Sequence, residues 1–320
     1  MACLNVFVGI DVSKDWLDVH LRPVGEDLRV PNTESGWREL AAHLSSHPLA
    51  KVAAEASGGY EKGVLRYLAQ AGFEVHCLDA GKVRQFARAA GQRAKNDRLD
   101  ARAIAHYLAT FILTPERFDA TLERLAENVV FRRQLVEQRT AVANQARLLR
   151  DPQLVRLSRH RIAQLDRLIK NQDKRLAALI AADEALSARA AVLMSAKGVG
   201  PTLAATLLAL LPELGAVDRR AIAALVGVCP YDFESGRFKG QRHIAGGRMH
   251  VRNALYMPTL SAIRCDPRLK AFYDKCRQGR DNKKSAVIAA MRKLLTILNA
   301  RMRDHIADCN SGRNTLKCAA

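Results

Sequence analysis

Near residue 119 the spacing of apolar side chains changes, and that change divides the chain into two kinds of architecture. Before it, Val6-Phe7-Val8-Gly9-Ile10 is a compact apolar run, and Trp16 to Leu21 alternates apolar with polar residues. A period of two is that of a half-buried strand, so the two segments read as a hairpin. Residues 37–44 then read as helix, 51–55 as strand, 60–71 as helix and 73–78 as strand. Strands alternating with helices imply an α/β layer structure on a mixed sheet.

After residue 119 the period becomes seven. Leu122, Val129, Val136 and Ala143 recur in register, with Leu135, Val142 and Leu149 on an adjoining stripe. Asp151-Pro152 interrupts the series, because proline disfavours helix in the residue before it. Ile162, Leu165, Ile169, Leu176 and Leu179 then resume it, with polar Gln172 in one slot. Two charged helices with narrow apolar seams predict a coiled-coil hairpin or an oligomerisation arm, with two ordinary packed helices as the plainer alternative. Past residue 190, Lys197-Gly198-Val199-Gly200-Pro201 separates two helical stretches, Pro201 suiting a first helical position. That turn reads either as a phosphate-binding helix-hairpin-helix element or as a bare connection. A last helix is expected over residues 284–303, and the divisions fall at 1–118, 119–190 and 191–320.

Charge narrows the class of partner. Lys and Arg number 51 against 32 acids, a net charge of +19, which favours a polyanion, usually nucleic acid. Between Ser235 and Cys265 no acid interrupts Arg237, Lys239, Arg242, Arg248, Arg252 and Arg264. His243 and His250 in that stretch read as surface or phosphate contacts. The seven cysteines stand singly, without zinc-ligand spacing, and read as free thiols of a reducing cytoplasm. No apolar run reaches the roughly 18 residues of a membrane span, and residues 1–11 lack the marks of a secretory signal.

Four acids stand out by position. Asp11 closes the first apolar strand and Glu55 closes the strand of residues 51–55. Asp97 and Asp100 sit three apart near a helix start, on one face of it, where acids also suit the helix dipole. Singly, each reads as structural or solvated. Together, two strand-end carboxylates and a helical Asp-x-x-Asp resemble the metal site of the RNase H fold. Two carboxylates about 4 Å apart repel by roughly 1 kcal/mol in water and roughly 4 at an effective dielectric of 20, so such a cluster calls for cations. Oxygen ligands of this hardness select Mg²⁺ or Mn²⁺.

The order of motifs resembles the DEDD transposases of the insertion-sequence "IS-one-ten" family, to which Piv-type DNA invertases are related. The likeness rests on Gly9-Ile10-Asp11-Val12-Ser13-Lys14, Glu55-Ala56-Ser57-Gly58-Gly59-Tyr60 and Lys95-Asn96-Asp97-Arg98-Leu99-Asp100-Ala101. It continues through Gly198-Val199-Gly200, Ala224-Leu225-Val226-Gly227-Val228-Cys229-Pro230, Glu234-Ser235-Gly236 and Arg252-Asn253-Ala254-Leu255-Tyr256-Met257-Pro258. The chain departs from the pattern at His243-Ile244-Ala245-Gly246-Gly247, where many relatives carry a more basic Ser-Lys-Gly run.

The resemblance implies a RuvC-like, RNase H-fold nuclease domain, a helical coiled-coil arm and a mainly α transposase domain. It implies catalysis by Asp11, Glu55, Asp97 and Asp100 through Mg²⁺ or Mn²⁺, with Ser235 as nucleophile. Without the family, Ser235-Gly236 is simply a turn. Arg237, Lys239, Arg242, Arg248 and Arg252 are the expected nucleic-acid contacts. The implied partners are donor and target DNA, a structured noncoding guide (bridge) RNA, and further copies of the chain in a dimer of dimers combining one subunit's carboxylates with another's serine. The implied location is the bacterial cytoplasm, at the nucleoid. The rivals are a RuvC-type metal-dependent junction endonuclease, which needs no serine, and a non-catalytic nucleic-acid-binding protein.

Overall fold

The alternating N-terminal pattern becomes a mixed five-stranded sheet in the order β3-β2-β1-β4-β5. In this computed structural model, residues 5–47, 50–91, 97–116, 118–232, 234–235, 238–240, 242–278 and 283–317 are described. They fall into two compact units, Met1–Asp119 and Ala120–Ala320.

In the first unit, β1 (Phe7–Val12) pairs antiparallel with β2 (Trp16–Arg22), which pairs antiparallel with β3 (Glu26–Pro31). On its other side β1 runs parallel to β4 (Lys51–Glu55), and β4 parallel to β5 (Glu74–Leu78). Alternation sorts the side chains. Val8, Ile10 and Val12, with Leu17, Val19, Leu21, Val52 and Ala54, face α1 (Glu34–Leu44) and α2 (Glu61–Gln70). Phe7, Ala53 and Leu78 face α3 (Ala80–Ala89) and α4 (Asp97–Thr110). Each fully buried aliphatic side chain contributes about 1.5–3 kcal/mol, so Ile10, Leu17, Leu21, Leu40 and Leu65 anchor the first layer. Strand β3 and helix α3 are absent from the sequence reading. In β3 only Leu28 and Val30 are apolar, and such charged residues blunt an edge strand against foreign pairing.

The second unit is helical. Helices α5 (Ala120–Ala146) and α6 (Pro152–Ala181) form a hairpin; Asp151 caps α6 by accepting from the Gln153 and Leu154 amides at 2.7 and 3.4 Å. Leu135 and Val142 pack on Leu165, beside Ile162 and Ile169. The buried stripe is therefore the adjoining one, and Val136 and Ala143 of the seven-residue series lie at its half-buried margin. Gln172 Nε2 donates to Asn128 Oδ1 at 2.7 Å, a polar pair that fixes the register of two otherwise apolar surfaces. Arg132 with Asp173 and Arg139 with Asp166 flank that seam.

At the hairpin's root, Leu125, Val129 and Leu176 join a core with α7 (Glu184–Met194), α8 (Pro201–Leu210), α9 (Arg219–Val226), α10 (Met249–Cys265), α11 (Pro267–Arg277) and α12 (Lys283–Lys317). Pro201 opens α8, as its fixed φ suits. Gly198 has φ +86°, and a Cβ there would lie 2.5 Å from the Ala262 amide nitrogen of α10. The glycine is explained by close packing on α10. No helix among the described residues is long and apolar enough to cross a membrane.

Candidate active site

The parallel register of β1 and β4 pairs Phe7 with Lys51 through Ile10 with Ala54. The next residue of each strand is a carboxylate, Asp11 and Glu55, so the two acids stand side by side at the carboxyl ends of strands about 4.8 Å apart. Asp11 shares its sheet face with Gly9, and Glu55 shares the same face with Ala53; this is the face that α4 covers. Gly9 is why α4 comes so close. A Cβ there would lie 2.1 Å from the Ala101 carbonyl oxygen and 2.4 Å from the Ala105 nitrogen, so no other residue leaves room for the helix backbone.

The direction of α4 follows from its anchors. Arg102 Nη2 donates to Asp27 Oδ2 at 2.5 Å, and His20, the β2 partner of Gly9, meets Asp27 Oδ1 at 2.7 Å. The Arg102 guanidinium holds the Asp27 carboxyl below its usual value, with His20 adding to it. One turn later, burial and the charge of Arg22 push the His106 ring below its usual value, and Arg22 is the partner of Phe7. Helix α4 therefore runs from the carboxyl ends of the strands toward their amino ends. Its first turn, with Asp97 and Asp100, lies at the edge where Asp11 and Glu55 end. Asp100 is half-buried; the Asp97 side chain, with Lys95 and Asn96 of its motif, lies outside the described residues.

The turns around these acids are built locally. After β4, Gly58 and Gly59 adopt φ of +70° and +110°, and Glu61 Oε2 accepts from the Ser57 and Gly59 amides at 3.0 and 2.9 Å. After β1, Ser13 Oγ donates to the Trp16 carbonyl at 2.9 Å, and Asn32 Nδ2 donates to the Ser13 carbonyl at the same distance. Two acids here escaped the sequence reading. Glu61 is buried and serves as a loop cap. Asp18 is the antiparallel partner of Asp11, only 6% exposed, with Arg29 Nε at 3.8 Å. Like charges directly opposed across a strand pair are unfavourable, so Asp18 adds negative field to this edge.

The donors fit a hard divalent cation in kind: carboxylate oxygens on adjacent strand ends and on the first turn of the facing helix. Among the described residues, no three His, Cys, Asp or Glu side chains are grouped to hold a metal ion.

Ser235 belongs to the second unit. Strand β6 (Pro230–Tyr231) pairs with β9 (His243–Ile244), and between them β7 (Glu234–Ser235) pairs with β8 (Phe238–Lys239). The four make a two-stranded finger. Ser235, opposite Phe238, is the last paired residue before Gly236 and Arg237, which lie outside the described residues, as do the side chains of Ser235 and Lys239.

The root of the finger accounts for two arginines differently from the sequence reading. Arg248 grips Glu213 with both Nη atoms, at 2.5 and 2.6 Å, and donates to the Leu210 carbonyl at 3.1 Å. Arg252 Nη1 donates to the carbonyls of Gly227 and Gly246 at 3.0 and 2.9 Å. Gly227, with φ +75°, and Gly247, with φ +72°, meet backbone to backbone there; a Cβ on Gly247 would lie 2.3 Å from the Gly227 nitrogen. Arg248 and Arg252 thus act as clamps that hold the finger's root. Arg242 pairs with Asp232 across the finger and remains exposed.

Burial pushes the Glu213 carboxyl up, but the Arg248 fork and a backbone hydrogen bond outweigh it and leave the group below its ordinary 4.5. A depressed carboxylate stabilises the fold fully above that ordinary value, and the contribution is lost as pH falls through the lower folded one. Arg248→Ala is therefore expected to cost about 2 kcal/mol at neutral pH, with the gap to wild type closing in acid melts below about pH 4.5. A gap that stays constant into strong acid would show that the pair is not the cause.

A mixed five-stranded sheet with acids at adjacent strand ends, faced by a helix that begins with acids, is consistent with a DEDD transposase domain. The comparisons agree. A DEDD transposase model of the IS110 type, described as "Transposase", matches residues 8–151, and one described as "Transposase IS116/IS110/IS902 family" matches residues 190–274. The chain belongs to this IS110 transposase family. It is similar to a pilin gene-inverting protein of Moraxella bovis, 25% identical over 319 residues, covering 94% of this chain and 97% of the relative. A Moraxella lacunata protein of the same name matches to the same extent. An uncharacterized 42 kDa protein of insertion element IS900 from Mycobacterium paratuberculosis is 32% identical over 123 residues, which is 36% of this chain and 30% of that protein.

Proposed function

We propose that the chain cuts and rejoins DNA, using Asp11, Glu55, Asp97 and Asp100 as the acidic half of its chemistry and Ser235 as the nucleophile. The observation that supports this reading is that Asp11 and Glu55 follow the last paired residues of the parallel strands β1 and β4, on the sheet face against which α4 packs at Gly9. In this reading residues 1–118 are a RuvC-like nuclease domain, 119–190 a coiled-coil arm and 191–320 the domain of the serine. The carboxylates hold Mg²⁺ or Mn²⁺, which when bound supplies charge neutralisation and Lewis-acid activation at the scissile phosphate. Asp11 and Glu55 present oxygens from neighbouring strands, while Asp97 and Asp100 close the set from the helix. Asp18 strengthens the field that attracts the cation, and Arg102 keeps α4 at its height. A net charge of +19 supports DNA partners and a structured guide RNA. Exposed Leu148, Leu154, Leu157 and Leu168 on the α5–α6 hairpin support self-association.

Strand cleavage of labelled DNA by wild type, Asp11→Asn and Asp100→Asn, with Mg²⁺, with Mn²⁺ and with EDTA, tests the acidic half. Either substitution is expected to lower cleavage by at least about a hundredfold while nucleic-acid binding stays intact or tightens. Cleavage by both variants in EDTA at the wild-type rate would sink it.

A further inference from the structure

A concentration of cations in the second unit lies away from the clamps at the finger's root. A cleft of about 760 Å³ opens between α9, α11, α12 and the base of the finger. Arg219, Arg220, Arg242, Lys284, Arg292 and Lys293 line it, and no acid does among its described lining residues. The apolar side of α12, with Val287, Met291, Leu294 and Leu298, is spent on the core, so Lys284, Arg292 and Lys293 are held outward by the packing behind them. Lys293 lies over the Phe272 ring at 5.9 Å, which fixes its ammonium above the wall. Asp218 caps α9, its carboxylate accepting from the Arg220 and Ala221 amides at 2.6 and 2.8 Å, and its charge offsets part of that of Arg219 and Arg220. Arg242 pairs with Asp232 on the finger itself.

So many like charges around one concavity focus a positive field, and such a field selects an anion. The shape says which kind. From Lys284 to Lys293 the cationic edge of α12 extends about 13 Å, several times the 3.4 Å rise per nucleotide of a duplex strand. A single phosphate would engage one end only. The opposite wall is the base of the finger, Pro230 with Arg242, His243 and Ile244, and Ser235 lies in the next strand pair, four residues after Tyr231.

We propose that this cleft is a groove for the phosphodiester backbone of a nucleic acid, leading a strand along the finger toward Ser235. The groove rests on the reading of the chain as a nucleic-acid enzyme, and stands whether or not Ser235 is the nucleophile. It moves the main backbone contacts from Arg248 and Arg252 to Arg219, Arg220, Arg292 and Lys293.

Fluorescence anisotropy of the full chain with a labelled DNA duplex, and separately with a labelled stem-loop RNA, tests it between about 50 and 200 mM salt. Replacing Arg219, Arg220, Arg292 and Lys293 together by alanine should flatten the log–log salt slope by about 0.9 per lost contact on duplex DNA, three to four units in all, and weaken low-salt binding at least tenfold. Flattening on DNA alone assigns the groove to DNA, on RNA alone to RNA, and on both to either backbone. Should the fourfold variant melt below wild type, Arg219→Ala with Arg220→Ala, both exposed at the start of α9, gives about half the effect without touching α12. Unchanged slopes on both nucleic acids overturn the groove while leaving the family reading intact. A wild-type chain that binds neither overturns both.

Discussion

Gly9→Ala is expected to destabilise the first unit and to disable its carboxylate edge. Its Cβ would sit 2.1 Å from the Ala101 carbonyl oxygen and 2.4 Å from the Ala105 nitrogen, and both are backbone of a helix pinned by Arg102 to Asp27. Neither side can yield by rotating a side chain, so α4 must lift by about 1 Å. Overpacking of this kind costs about 1–3 kcal/mol, and a backbone-to-backbone clash belongs at or above the top of that range. Function should fall further than stability does. Lifting α4 moves the first turn that carries Asp97 and Asp100 away from Asp11 and Glu55, and a displacement near 1 Å at a reacting centre costs on the order of a hundredfold in rate. Thermal melts and cleavage assays on Gly9→Ala, with Gly200→Ala as control, separate the two effects. Gly200 has φ −101°, and a Cβ there would meet nothing within 4 Å, so its variant should stay within about 1 kcal/mol of wild type. A Gly9→Ala protein that melts and cleaves like wild type would mean that α4 does not set the carboxylate edge.

Much of this architecture is legible in the sequence, and the reasons differ between elements. Strands β1, β2, β4 and β5 and helices α1 and α2 announce themselves because each buries a regular stripe. The edge strand β3 does not, since its pairing is supplied by β2 and little of its surface is apolar. Asp11 and Glu55 stand out because an acid ending an apolar strand has no packing reason to be there. Asp18 hides because an alternating strand is expected to be polar on one face; only the register reveals that this face lies under a helix and opposite Asp11. The arginine-rich stretch misleads in the opposite way. A run without acids looks like a row of free cations, yet Glu213, more than thirty residues earlier in the chain, neutralises Arg248, and backbone carbonyls occupy Arg252. A further cluster of positive charge lies in a cleft that brings α9 together with α11 and α12, some forty residues later in the chain, which no local window can show.

Ser235→Ala is expected to abolish rejoining altogether while leaving nucleic-acid binding unchanged. In the proposed reaction the serine oxygen bonds to phosphorus, the bond from phosphorus to one sugar oxygen breaks, and the proton lost by the serine is balanced by one gained on the released sugar hydroxyl. One phosphodiester is exchanged for another, so the energy of the broken link is kept for resealing and no external source is needed. The position of Ser235 suits this role. It is the last paired residue of a narrow finger, and Arg248 and Arg252 clamp the finger's root rather than its tip, so the serine can be offered to a strand from a fixed base. Denaturing gels of labelled DNA should show a slow-migrating protein–DNA adduct with wild type and none with Ser235→Ala, and peptide mapping should place the label on the segment of residues 234–235. In the proposed reaction the carboxylates activate the serine, so Asp11→Asn should lose the adduct as well. Adduct formation on another residue would move the nucleophile. Free 5′-phosphate ends released by the Ser235→Ala protein would make water the attacking group, and the chain a resolvase-like endonuclease.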